Sequence, residues 1–348
     1  MGVPQPIFLE LYLTMTATLT VKPPSDAAPG LPAGRLYQIV KYFRKNGALL
    51  LLALPGLIHI FMIQYMPMFG MVIAFKDYKF ADGIFGSKTV WFENFRFLFA
   101  TDVAWRITFN TLLMNALFIV SGTLASLTLA LLLNEIYTSR WTQVYQFTLF
   151  IPFFVGSVIV GYIAYALLGA NGFINTALKE AALDPFPFYT KPDPWRLILI
   201  VANLWGGVGF GTIIYLAGMI GINPEFYEAA QLDGANKFQQ IVSITLPLIS
   251  YLIVIQILLA VGRIFFANFG LFYFVPQVWR NGALLPVVDV IDTFVFRALQ
   301  GGSFQAGAGV VKLGMAAAAG FYQSVVGLIL IVSANLIVRK ISAEHSLF

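Results

Sequence analysis

The sequence predicts an all-α, polytopic membrane protein of six transmembrane helices, with one short polar helix between the fourth and the fifth. Three observations predict it. Hydrophobic residues make up 59% of the chain and charged residues 11%, whereas a soluble domain carries about 25% charge. The apolar residues gather in runs that reach the roughly 20 residues a helix needs to cross a hydrocarbon core. Between the runs lie segments that hold most of the charges.

Composition also excludes some chemistry. The chain has no cysteine, so disulfides, thiolate metal sites and cysteine nucleophiles are ruled out. The net charge of +5 is mild, and in a membrane protein basic residues fix topology and meet lipid headgroups. No nucleic-acid-binding motif is present.

Residues 1–46 read as a lead-in. The apolar start lacks a basic residue and is broken by Glu10, which argues against a signal peptide. A flexible stretch rich in proline and alanine follows, and then Arg35, Lys41, Arg44 and Lys45 cluster before the first span and predict a cytoplasmic N-terminus. The first span covers 47–75, long enough to tilt or to extend past the bilayer. His59 lies inside it; bonding to a neighbouring helix is favoured over a pathway role, because one histidine offers no cluster and no relay.

Residues 76–106 form the first outer loop, whose mixed charges and aromatics suit headgroup depth. The second span runs over 107–133 and the third over 144–168, with a kink predicted at Pro152. Residues 169–196 form a proline-dense outer loop in which Trp195 is expected to anchor at the interface. The fourth span, 197–220, holds Asn203, Trp205 and the glycine-rich run from Gly206 to Gly211. Small residues at this spacing permit close helix packing or a weakened pathway segment. Without a Gly-Lys-Ser/Thr ending the run is no phosphate loop.

Residues 223–247 read NPEFYEAAQLDGANKFQQIVSITLP. Asn223 suits an N-cap and Pro224 the first helical position, where the missing N–H costs nothing. Gly234 ends this helix of about ten residues, and a second helix starts near Asn236. Phe226, Ala229 and Ala230 share a face. So short a helix is marginal alone and calls for a docking partner; an ordinary helical connection is the alternative reading of the residues themselves.

The fifth span, 246–269, contains Gln256 and Arg263. Arginine there either snorkels to the outer surface or faces an anionic solute. Residues 270–313 form the longest outer loop, where Asp289 and Asp292 fit a helix start or a solvated face, with no catalytic context. The last span is 315–338. Arg339 and Lys340 follow it, and the tail 339–348 is expected on the cytoplasmic side with the N-terminus. That orientation rests on the short basic flanks; the outer loops also carry many lysines and arginines.

The spacing of Glu228-Ala229-Ala230, Gly234, Ile244 and Leu246-Pro247 resembles the EAA signature of ABC-importer permeases, with every specified position filled. In the first outer loop, Ile73-Ala74-Phe75-Lys76-Asp77-Tyr78, Gly86-Ser87 and Phe92-Glu93-Asn94-Phe95 resemble the oligosaccharide and polysaccharide branch of the maltose-permease type. Asp289-Val290-Ile291-Asp292-Thr293 does so again, and the glycine-rich 301–309 departs from the branch pattern. The similarity extends from about residue 36 to the C-terminus, and is greatest to the alginate-importing members.

The resemblance implies a six-helix permease domain over 47–338 in the bacterial inner membrane, with a cytoplasmic coupling helix at 223–234. It implies a second homologous permease, two ATPase subunits carrying ATP and Mg, a periplasmic solute-binding protein and a saccharide, with no cofactor on this chain and no enzymatic activity. Glu228, Ala229, Ala230 and Gly234 would dock on the ATPase, and Asn223, Pro224 and Asp233 would support the turn. Ile244 and Pro247 complete the signature, and Gly234 is expected where a Cβ would clash. Polarity within spans nominates Asn203, Trp205, Gln256 and Arg263 for the solute pathway, and the basic balance suits an acidic uronate saccharide. The competing reading is an ion-gradient-driven carrier acting alone, which usually shows acidic residues inside its spans; the six assigned here contain none. A membrane-embedded enzyme lacks any set of nucleophile, base and orienter.

Overall fold

The computed structural model describes residues 45–100, 102–137, 139–280, 282–299 and 313–341. Most of the lead-in, the glycine-rich stretch 301–309 and most of the tail lie outside the described residues. Among those described, six helices are long and apolar enough to cross a membrane: Gly47–Phe75, Asp102–Glu135, Ser157–Glu180, Trp195–Ile220, Lys237–Gly262 and Leu313–Lys340. The chain divides into two units, Met1–Met68 and Phe69–Phe348.

In the first unit an α-helix, Gly47–Ile60, widens into a π turn, Phe61–Tyr65, closed by the Met66 N–H on the Phe61 carbonyl. The next residue is Pro67, which has no N–H and whose ring would strike the carbonyl four residues back. Widening the turn by one residue relieves that clash. The same device recurs in the second unit, where the π turn Ile241–Thr245 stands before Leu246-Pro247 and Leu246 N–H bonds Ile241 O.

The second unit is held by close backbone approach and buried amide networks. The second span, Asp102–Glu135, lies along the fourth, Trp195–Ile220. Ser126 Oγ donates to the Val208 carbonyl at 3.2 Å, and a Cβ on Gly211 would fall onto that Ser126 side chain. A Cβ on Gly209 would overlap the Leu149 carbonyl, so Gly209 and Gly211 pack closely against their neighbours. Overpacking against backbone costs about 1–3 kcal/mol. Gly209→Ala is therefore expected to lower the thermal stability of the detergent-purified protein. Gly206→Ala, with nothing within 4 Å of the added carbon, should leave it equal or higher. Equal melting of the two variants would contradict this packing.

Several expected boundaries change. The third span is broken, not kinked. A helix at Thr142–Phe150 passes into a 3-10 turn, Ile151–Phe154, then Val155 and Gly156 are extended and a new helix starts at Ser157. Pro152 removes a backbone bond, and Gly161 then brings the restarted helix against the Phe274 backbone, where a Cβ would lie 2.6 Å from the carbonyl oxygen. The fifth span ends at Gly262, short of residue 269, and begins at Lys237. Trp195 is fully buried and donates from Nε1 to Phe188 O at 2.6 Å, so it is a core residue and no interfacial anchor.

The segment from residue 270, expected as an outer loop, folds inward. Short helices at Phe269–Phe274, Leu285–Val288 and Ile291–Leu299 pack Phe272, Val275, Val278, Leu284 and Val288 around Trp195 and Leu199. Asp289 is fully buried, paired with Arg297 at 2.6 Å and bonded by Thr293 Oγ1 at 2.9 Å. Asp292 accepts from Ala267 N and Gln323 Nε2. The helix-start reading of these carboxylates fits and the solvated-face reading does not. Burial pushes both carboxyls up from the usual range, and the Arg297 guanidinium pulls Asp289 back down.

The segment expected as the first outer loop is locally folded. Lys76–Asp77 pairs antiparallel with Lys88–Thr89, the one strand ladder among the described residues. Asn94 Nδ2 donates to the carbonyls of Ala74 and Lys76, both at 2.9 Å, and the Phe75 ring contacts Phe92, Phe95 and Phe321. The two motif pieces around Phe75 and Asn94 thus fasten the end of the first span to the last.

Candidate functional site

Two places bring the nominated residues together. The first is the polar connection between the fourth and fifth spans. Its helix is Glu225–Leu232, eight residues, slightly shorter than the sequence suggests. Asn223 Oδ1 accepts from Glu225 N at 3.1 Å and its Nδ2 donates to Glu225 Oε2 at 2.9 Å, while Pro224 stands at the cap position. Asn223 therefore closes the first turn, one residue earlier than an N-cap in strict register.

The other end is a Schellman motif. Gly234 has φ +81°, its N–H bonds Gln231 O at 3.0 Å, and Ala235 N–H bonds Ala230 O at 2.8 Å. Nothing lies within 4 Å of a Cβ built on Gly234. The expected clash is absent among the described residues, and the left-handed backbone alone favours glycine here. Asp233 occupies the C-cap, with its N–H on Ala229 O. The chain restarts at once: Asn236 and Gln239 form a reciprocal capping box, with bonds of 2.9 and 2.8 Å.

The helix buries none of its residues. Ala230, Asp233, Gly234 and Ile244 line one hollow of about 420 Å³. Glu228, Ala229 and Pro224 are exposed outside that hollow, and Asn223 borders a separate one beside Phe226. Pro247 is exposed one turn beyond Ile244, where it produces the π turn.

The second place is a cavity of about 390 Å³ between the second, fourth and fifth spans. Asn203, Gln256 and Arg263 all line it; Trp205 does not. Asn203 and Trp205 are two residues apart, so a helix points them to different sides. Gln256 and Arg263 are seven apart and share a face. Gly207 also borders the cavity. Arg263 sits at the C-cap of the fifth span, and among the described residues it has no ion-pair partner.

Sequence reasoning missed Asn115 and Asn268 on the same wall. Asn115 Nδ2 donates to Ile264 O at 2.7 Å and so pins the turn that follows Arg263; an asparagine in an otherwise apolar run is the signal that could have found it. Asn268 caps the next helix by accepting from Leu271 N. Phe210, also on the lining, stacks on Phe153 at 5.2 Å. Among the described residues no group of three His, Cys, Asp or Glu could hold a metal ion.

Residues 122–343 match the family described as the binding-protein-dependent transport system inner membrane component. Protein LplB of Bacillus subtilis (strain 168) is 32% identical over 92% of this chain and 98% of its own length. The polygalacturonan/rhamnogalacturonan transport system permease protein YteP of the same organism is 33% identical over 85% of this chain and 89% of its own. A crystal structure of a bacterial ABC transporter involved in the import of the acidic polysaccharide alginate contains a chain that superposes with a TM-score of 0.75. That chain is 30% identical, and the match covers 88% of this chain and 99% of that one. A second crystal structure holds the bacterial alginate ABC transporter in complex with an alginate pentasaccharide-bound periplasmic protein. It matches with a TM-score of 0.74 at 32% identity, over 87% of this chain and 97% of that one.

Proposed function

Because the chain belongs to the family of binding-protein-dependent transport system inner membrane components, we propose that it carries an acidic oligo- or polysaccharide across the bacterial inner membrane and is driven there by a partner ATPase. It is a multi-pass permease subunit of an ABC importer, a transport component and not an enzyme. In the proposed assembly it pairs with a second homologous permease over two ATPase subunits, which hold ATP and Mg, and receives solute from a periplasmic binding protein. Both termini then face the cytoplasm.

The observation that carries the coupling part of this reading is the helix Glu225–Leu232, folded and closed at both ends yet with none of its residues fully buried. A helix so short persists when something docks on it. Ala230, Asp233, Gly234 and Ile244 would offer the ATPase a hollow, with Glu228 and Ala229 on the exposed side. Movement of the ATPase pair would then bias two packings of the spans.

The solute class is supported by the cavity and by relatives. Alginate and polygalacturonan are both chains of uronic acids, and the cavity is lined by Arg263, which has no ion-pair partner among the described residues, and by the amides of Asn203 and Gln256. A guanidinium meets a carboxylate with two parallel hydrogen bonds. The ion-gradient carrier reading loses its support with the family assignment. The test is ATPase activity of the purified complex in lipid, with binding protein loaded with acidic or neutral oligosaccharides. Acidic uronate oligomers are expected to stimulate hydrolysis several-fold more than neutral ones; equal stimulation, or none, would overturn the substrate assignment.

A further inference from the structure

The helix Glu225–Leu232 is tied to the membrane domain by one side chain. The Tyr227 hydroxyl lies 2.9 Å from Thr245 Oγ1, and among the described residues this is the only side-chain hydrogen bond from that helix to another element. Thr245 is buried and is the last residue of the π turn Ile241–Thr245. In that turn the ladder is rearranged by Pro247, so it is the point in the fifth span where bending breaks the fewest regular bonds.

A second tie crosses nearby, from Lys237 Nζ to Glu135 Oε2 at 2.9 Å. Both its side chains are well exposed, so water screens it and it holds weakly. Between these two ties lies a cavity of about 170 Å³, lined by Asn134, Glu135, Tyr227, Gln231, Lys237 and Thr245 among others. The short helix can therefore shift towards the second span without meeting packed side chains, and the hydroxyl pair is left to carry the displacement. From Thr245 the fifth span rises about 16 Å to Gln256 on the wall of the 390 Å³ cavity.

We propose that the Tyr227–Thr245 hydroxyl bond is the positioning contact that passes movement of the short helix to the π turn, so that the fifth span bends at Ile241–Thr245 as the helix moves. The proposal rests on the ATPase-docking role given to that helix above. Tyr227 and Thr245 touch neither nucleotide nor solute in it; they act through the span that carries Gln256 and Arg263.

The experiment measures solute transported per ATP hydrolysed by the whole complex in proteoliposomes, for Tyr227→Phe, Thr245→Val, the double variant and Thr245→Ser. Losing one hydrogen bond is expected to lower the ratio by about threefold or more in each single variant. The double variant should lose no more than either single one, because both remove the same bond. Thr245→Ser keeps a hydroxyl and should keep the ratio. Assembly yield and melting temperature read any purely structural effect, and the serine and valine pair at one site decides the matter if Tyr227→Phe assembles poorly. A normal ratio in Thr245→Val, or an equal loss in Thr245→Ser, overturns the proposal. Failure of the docking reading looks different: Gly234→Asp would then leave ATPase association and transport intact.

Discussion

Replacing Gly234 with aspartate is expected to abolish uptake while the subunit still accumulates in the membrane with its spans intact. The backbone at Gly234 is left-handed, with φ +81°, a conformation that costs an ordinary L-residue roughly 1–2 kcal/mol. Aspartate and asparagine pay less, because their short side chains bond locally. Apart from Gly234 and its chain neighbours, no atom of the described residues lies within 4 Å of the new Cβ, so the variant should fold locally. Its defect arises outside the chain. The carboxylate would stand at the negative end of the helix Glu225–Leu232, in the hollow shared with Ala230, Asp233 and Ile244, where the ATPase is proposed to dock. Uptake, membrane abundance and co-purification of the ATPase measure the three parts separately. Gly234→Asn, which satisfies the backbone without adding charge, should retain more ATPase association than Gly234→Asp. Normal uptake by Gly234→Asp would remove the docking assignment.

What the sequence reveals here is what depends on near neighbours. Apolar runs locate the six spans, and the Asn223 turn, the Gly234 stop and the restart at Asn236 follow from local backbone chemistry. What it conceals depends on distant partners. Asn110 on the second span donates to the carbonyls of Pro286 and Asp289, and nothing near residue 289 announces that it will be buried. The stretch from 269 to 299 is rich in Phe, Val and Leu, but cut by Pro276 and Pro286 into pieces too short to span. It therefore resembles a loop until the second and fourth spans are placed around it. Trp195 lies in a proline-rich, charged surrounding typical of an interface, and its burial depends on the apolar side chains packed around it and on the Phe188 carbonyl that takes its N–H. The separation of Trp205 from Asn203 was legible, since residues two apart never share a helix face. The break at Pro152 was half legible: proline predicts a weakened ladder, whereas the full restart at Ser157 depends on Gly161 meeting the Phe274 backbone.

Arg263→Gln is expected to lower uptake of an acidic oligosaccharide by roughly tenfold to a hundredfold, the worth of a charge-assisted hydrogen bond. Neutral oligosaccharides should pass with little change. The guanidinium sits at the end of the fifth span with no ion-pair partner among the described residues, so removing its charge strands no buried carboxylate and the subunit should fold. The turn behind it is held independently, by Asn115 on the Ile264 carbonyl and by Gln323 on the Phe265 carbonyl. A loss confined to acidic solutes would therefore report electrostatic recognition and not a displaced loop. Arg263→Lys keeps the charge without the planar fork, and should fall between the two. Asn203→Ala and Gln256→Ala remove neutral donors on the same wall and should weaken acidic and neutral solutes alike, by a smaller factor. Equal losses for acidic and neutral solutes in Arg263→Gln would show that the residue shapes the cavity and does not read charge.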